Sequence, residues 1–138
     1  MKHLKYLPVV FLIILFVLTS CENDEIEQTD HIEQFGILGQ WKLESLTING
    51  ITDLSIQCCD YIEFKKDTDS DDLKGEFIAY GVGYETNGVF ELITSNNTIQ
   101  FDYDNKQKVY EFQILDNLII FKYSDDNQKI IEDWRKVE

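Results

Sequence analysis

Cysteines, histidines and carboxylates are the residues of this 138-residue chain whose types could do chemistry, and their spacing limits what that chemistry is. Cys58 and Cys59 are adjacent. A disulfide between neighbours closes a strained ring and bridges no long loop, so it offers little stability. No C-x-x-C spacing supports a thioredoxin motif or a four-thiolate zinc site. Reduced, partly buried thiols are the plainest reading, with a vicinal disulfide or a metal-binding pair as alternatives. The two histidines are His3, in an apolar leader, and His31, in an acidic stretch. A folded domain without histidine cannot build a Ser-His-Asp or Cys-His nucleophile system, nor a three-histidine metal site. Carboxylate chemistry of the glycosidase kind needs a matched pair of acids, and none stands out. Asp67-Thr68-Asp69-Ser70-Asp71-Asp72 alternates acids like a calcium loop. The EF-hand glycine and glutamate positions, however, hold Asp72 and Ile78, so the run reads as a solvated hairpin tip. No enzyme, cofactor or metal is expected.

Charge narrows the partners. The chain carries 12 Lys+Arg against 26 Asp+Glu, a formal net charge of −14. A nucleic-acid binder needs cationic groups to release counterions from phosphate, which disfavours that class. Residues 1–20 stand apart: Lys2 and Lys5 precede an apolar run from Leu7 to Leu18, with no acid. Such a run describes a secretory signal and falls short of the roughly twenty residues of a spanning helix. Its end, Leu18-Thr19-Ser20-Cys21, resembles the lipobox of bacterial lipoproteins. That resemblance implies cleavage before Cys21 and acylation of its thiol with palmitate-type chains. Two or three chains anchor stably, at about 0.8 kcal/mol per buried methylene. Residues 21–35 are acidic and nearly free of apolar side chains, so a flexible tether is expected there. Acids just after the lipidated Cys are similar to an export signal of some Gram-negative lipoproteins. The expected location is the bacterial envelope, lipid-anchored at the outer membrane on its periplasmic or surface face.

The elements that must position any site are strands. From Gly36 on, short β-rich runs alternate with turn residues, and no helical period of length appears. The runs are 40–48, 58–66, 73–80, 84–93, 98–104, 108–115, 118–123 and 129–137, broken by Asn49-Gly50, Gly81-Val82-Gly83, Asn105-Lys106-Gln107, Asp116-Asn117 and similar turns. Successive strands joined by short turns are antiparallel neighbours. Period-two alternation then sorts the faces: Tyr84, Phe90 and Leu92 oppose Glu85, Asn87 and Glu91; Tyr110, Phe112 and Ile114 oppose Glu111 and Gln113. One wet face and one apolar face on eight strands predict an all-β, eight-stranded antiparallel up-and-down barrel over residues 36–138, with an open sandwich as the competing architecture. Eight strands enclose either packed side chains or one small ligand.

Gly39-Gln40-Trp41 at the start of the first strand matches the G-x-W motif of the lipocalins, and Trp134-Arg135 lies in the last strand. The domain therefore resembles the compact lipocalin-like barrels of bacterial lipoproteins. The resemblance implies a barrel-closing motif of Gly39, Trp41 and Arg135, with the guanidinium stacked over the indole. It departs from full-length lipocalins in lacking a T-D-Y motif and a helix after the barrel. The ligand wall it implies is Tyr80, Tyr84, Phe90, Phe101, Tyr103, Tyr110, Phe112 and Tyr123; each buried tyrosine hydroxyl needs a partner that a cavity water or ligand can supply. Two functions follow. One is a lipid-anchored protein binding or carrying a small apolar molecule; the other is a non-enzymatic surface module with a filled barrel, meeting a protein partner at its loops.

Overall fold

The computed structural model describes residues 31–53, 60–68 and 72–138. The signal segment, Cys21 and its lipidation, Cys58, Cys59 and Asp69-Ser70-Asp71 lie outside the described residues. The strands are β1 (Gly39–Ile48), β2 (Ile51–Asp53), β3 (Tyr61–Lys66), β4 (Lys74–Gly81), β5 (Tyr84–Ile93), β6 (Thr98–Tyr103), β7 (Lys106–Leu115), β8 (Leu118–Asp125) and β9 (Gln128–Lys136). From β3 to β9 each strand pairs antiparallel with the next, and β1 pairs with β3 on one side and β9 on the other. The β1–β9 ladder runs from Trp41↔Lys136 to Ile48↔Ile130. That pairing closes the expected eight-stranded up-and-down barrel and excludes the open sandwich. The strand β2 is an addition, a short arm folded back on the end of β1 by the Asn49-Gly50 turn.

The hairpins turn on residues held at positive φ: Asn49 and Gly50 (51° and 83°), Asp104 and Asn105 (49° and 56°), Asp126 and Asn127 (45° and 65°). Such pairs match the right-handed twist of the flanking strands, and the short side chains of Asn and Asp make the conformation tolerable. The β6–β7 turn is therefore Asp104-Asn105 rather than the expected 105–107, and β7 begins at Lys106.

Alternation decides what is inside. Phe64, Phe90, Phe121, Ile99, Ile119 and Trp41 are all less than 2% exposed. In β1 the register slips between Leu43 and Ser45. This bulge resets the alternation, so Trp41↔Lys136 and Leu46↔Glu132 fall on the same face although the β1 spacing is odd. Two glycines make the aromatic packing fit. A Cβ on Gly75 would lie 2.7 Å from the Phe90 ring, and one on Gly88 would lie 2.9 Å from the Phe77 ring. Bare backbone at these points lets the strands bend and the rings fill the space.

One end of the barrel is shut. Ile32–Phe35 form a 3₁₀ turn capped by Gly36 at φ 69°. Ile32 and Ile37 are 1% and 0% exposed, and Phe35 and Leu38 pack on the core beside them. The packed domain thus starts at Ile32, inside the stretch 21–35 expected to be tether, because Ile32 has apolar surface to bury against the barrel's end.

Candidate functional site

At the closed end the buried indole and the Glu33 carboxylate are both partnered within the chain. The Trp41 indole Nε1 donates to the Ile37 carbonyl at 2.7 Å, tying β1 to the segment that plugs the barrel. Lys66 donates to the Glu33 carboxylate, which holds that carboxyl below its ordinary value.

The other end, where the β4–β5, β6–β7 and β8–β9 turns lie, is open and chemically different. A cup of about 170 Å³ is lined by Ile62, Phe77, Ala79, Thr86, Phe101, Tyr103 and Tyr110. Inward positions of five adjoining strands supply these groups, and edge-to-face contacts fix the rings: Phe77 on Phe101 at 4.9 Å and 77°, Phe77 on Tyr103 at 6.0 Å and 89°. Tyr110 is stacked on Tyr123, with centroids 4.0 Å apart and planes 9° from parallel. The Tyr123 hydroxyl donates to Glu132 Oε1 at 2.6 Å, and the Trp134 indole Nε1 donates to Glu132 Oε2 at 3.0 Å. Burial pushes the Glu132 carboxyl up, against the pull of these two donors; Asp60 pushes it further up and Lys108 pulls it down. Burial, then the charge of Glu132, push Tyr110 and Tyr123 well above the ordinary phenol value. At the rim the Tyr84 hydroxyl donates to Asp60 Oδ1 at 3.0 Å, and burial with that bond pushes Tyr84 up to about 12.

The expected ligand wall is only partly brought together. Phe101, Tyr103 and Tyr110 line the cup, and Tyr123 backs Tyr110. Phe90 lies in the core, edge-on to Phe64 at 4.9 Å. Phe112 instead borders a surface groove of about 640 Å³ with Phe35, Asn97, Ile114, Ile120 and Lys122. Tyr84 is 47% exposed, a rim residue. Tyr80 was expected inside and is on the outer wall. Phe77 and Ala79 take the inward positions of β4, which leaves Tyr80 stacked on its cross-strand partner Tyr61 at 5.4 Å and accepting a bond from the Gln40 amide.

The barrel-closing motif needs a similar correction. Gly39 opens β1 and Trp41 is fully buried, as the resemblance implies, but Arg135 does not stack on the indole. The register opposes Trp41 to Lys136, whose Nζ lies 5.2 Å from the indole centroid. Arg135, one residue earlier, faces the other way and forks onto Glu44, Nε to Oε1 and Nη2 to Oε2 each at 2.8 Å. The β1 bulge presents Glu44 to it.

Glu132 was missed. The signal was present: Trp134 is apolar and in the last strand, and period two puts Glu132 on its face. The adjacent acids Glu132-Asp133 disguised it, since only Asp133 behaves as a wall residue, accepting from Ser45 Oγ at 2.6 Å. Among the described residues no group of His, Cys, Asp and Glu could hold a metal ion, and no helix is long and apolar enough to cross a membrane. No family model, curated protein or solved structure matches the chain. The eight-stranded barrel is compatible with a lipocalin-like fold on its architecture alone.

Proposed function

We propose that the chain is a lipid-anchored protein of the bacterial outer membrane, held by Cys21, whose barrel is a non-enzymatic recognition module. Its mouth binds a small group, and its interior carries no long apolar molecule. The filled interior is the observation that supports this choice: Trp41, Phe64, Phe90 and Phe121 occupy the space a carrier would leave open. The cup of about 170 Å³ falls below the roughly 300–1,000 Å³ of pockets that engulf a ligand. Strands β1 to β9 contain no histidine or cysteine, which favours binding over catalysis. A protein partner at the same end is the second reading, favoured by Ile51 and Val82, 78% and 85% exposed on the hairpins beside the mouth. Native mass spectrometry of the protein purified from its own envelope tests the choice. The expected mass carries no long apolar adduct beyond the covalent acyl chains; a stoichiometric fatty acid or sterol adduct would overturn it. Cys21→Ser is expected to lose the acyl mass and the membrane association together. Retention of both would overturn the anchoring.

A further inference from the structure

The Glu132 carboxylate sits on the inner face of β9, half-buried. Each of its oxygens takes one neutral donor, Tyr123 or Trp134, and each keeps capacity for another. Among the described residues no lysine or arginine pairs with it; Lys108, the base whose charge reaches it, is engaged with Asp125 at 3.5 Å. A carboxylate partly withdrawn from water and held only by neutral donors is less well satisfied than one beside a cation, so a cation brought next to it is favoured. Phe77, Phe101, Tyr103 and Tyr110 line the cup, and Tyr110 is linked to this carboxylate through Tyr123, the ring stacked on it, whose hydroxyl bonds Glu132. The cup's volume is that of about five or six waters, enough for a nitrogen with a few methyl groups and too small for an acyl chain. The carboxylate charges that reach Tyr110 come from Glu132 and Asp125, and those that reach Tyr84 at the rim from Asp60 and Glu132. An anionic ligand is repelled there, and a neutral one leaves Glu132 as it was.

We propose that the mouth takes a compact alkylammonium group, seated on the Tyr103 and Tyr110 rings with Glu132 as its countercharge. Cation–π attraction and the carboxylate then act on the same ligand, the arrangement of an aromatic cage. The inference rests on the mouth being the recognition site and names the chemistry it would recognise. Tyr123 and Trp134 are positioning residues, each holding one oxygen of the carboxylate.

The test uses the full chain in an uncharged detergent, titrated with tetramethylammonium chloride and, separately, with tert-butanol, its neutral counterpart in shape. Ring signals of Tyr103 and Tyr110 are followed by NMR. Saturable shifts with tetramethylammonium, at least tenfold weaker with tert-butanol, are expected. Glu132→Gln and Tyr110→Leu should each weaken the cation at least tenfold, while Glu76→Gln on the outer wall should not. Equal binding of both probes, undiminished binding by Glu132→Gln, or no saturable shift would overturn the proposal. Choline and phosphatidylcholine vesicles separate the sources: choline binding alone assigns a soluble ligand, stronger vesicle binding assigns a lipid headgroup, and binding of neither overturns the proposal. A protein without an apolar adduct that ignores tetramethylammonium rejects this inference alone; an adduct rejects the recognition reading itself.

Discussion

The two ends of the barrel are made from the same strands and do opposite things with their polar groups. At the closed end, Ile32 and Ile37 are buried, the Trp41 indole bonds the plug's backbone, and Lys66 neutralises Glu33. At the mouth, Glu132 is half-buried against tyrosines and, among the described residues, takes bonds only from the neutral donors Tyr123 and Trp134, while Asp60 adds charge of the same sign nearby. The first end pairs its buried indole and its acid with partners of the chain; the second holds a half-buried acid beside which no cation is paired among the described residues. Proteins keep such a feature where something else is meant to satisfy it, which is why the proposed recognition is placed at the mouth and not at the plugged end.

That contrast breaks most readily at Trp41. Trp41→Ala removes a fully buried indole and its bond to Ile37, and should cost roughly 3–5 kcal/mol in urea unfolding. A cost under about 1 kcal/mol would mean the plug is not seated on β1. Ile32→Ala should cost about 2–4 kcal/mol, a loss that a flexible tether at that position would not produce. At the mouth the effects are smaller. Tyr123→Phe leaves Glu132 with one donor and should cost about 1–2 kcal/mol.

The ends should also respond to pH in opposite directions. The Glu132 carboxyl is raised above its ordinary 4.5 by burial, so its contribution to stability is full below that value and is lost as pH rises through the folded-state value. The stability difference between the native chain and Glu132→Gln should therefore shift against the native chain as pH climbs above about 4.5. Glu33 is lowered by its Lys66 partner, so its contribution is present above 4.5 and is lost as pH falls. It is an exposed pair, and the effect should be slight. A native-minus-Glu132→Gln difference that stays flat from pH 4 to 8 would show that Glu132 is not buried.

The barrel itself was legible in the sequence because one rule, alternation broken by Asn, Asp and Gly turns, governs nearly every strand. Phe90, Phe101 and Ile99 follow from it directly. The rule failed where a strand has two competing apolar sets. In β4 both Phe77–Ala79 and Ile78–Tyr80 could face inward, and only the register with β3, Phe64↔Phe77, decides against Tyr80. It failed again at the bulge, which no composition signal marks. Arg135 and Lys136 are both cations near the end of the last strand; which one meets Trp41 depends on a single step of register. The mouth's acid was hidden for a related reason: a buried Glu carries no sequence signature except the parity of its apolar neighbours.

The smallest predicted effects test that step of register. Double-mutant cycles on urea unfolding can pair Trp41→Phe with Lys136→Ala and, separately, with Arg135→Ala. Lys136 is only partly buried over the indole, so its coupling to Trp41 should be about 0.5–1 kcal/mol. Arg135 should show no coupling to Trp41 and only a slight one to Glu44, as for an exposed ion pair. The consequence exceeds the size of the numbers. Side chains alternate along β9, so a Trp41–Arg135 coupling larger than that of Lys136 would mean the closing ladder is off by one. Every β9 residue would then change face, Trp134 would leave the core, and Glu132 would move from the mouth to the outer wall. The same measurement that separates two neighbouring cations thus decides whether the barrel has an acid inside its mouth.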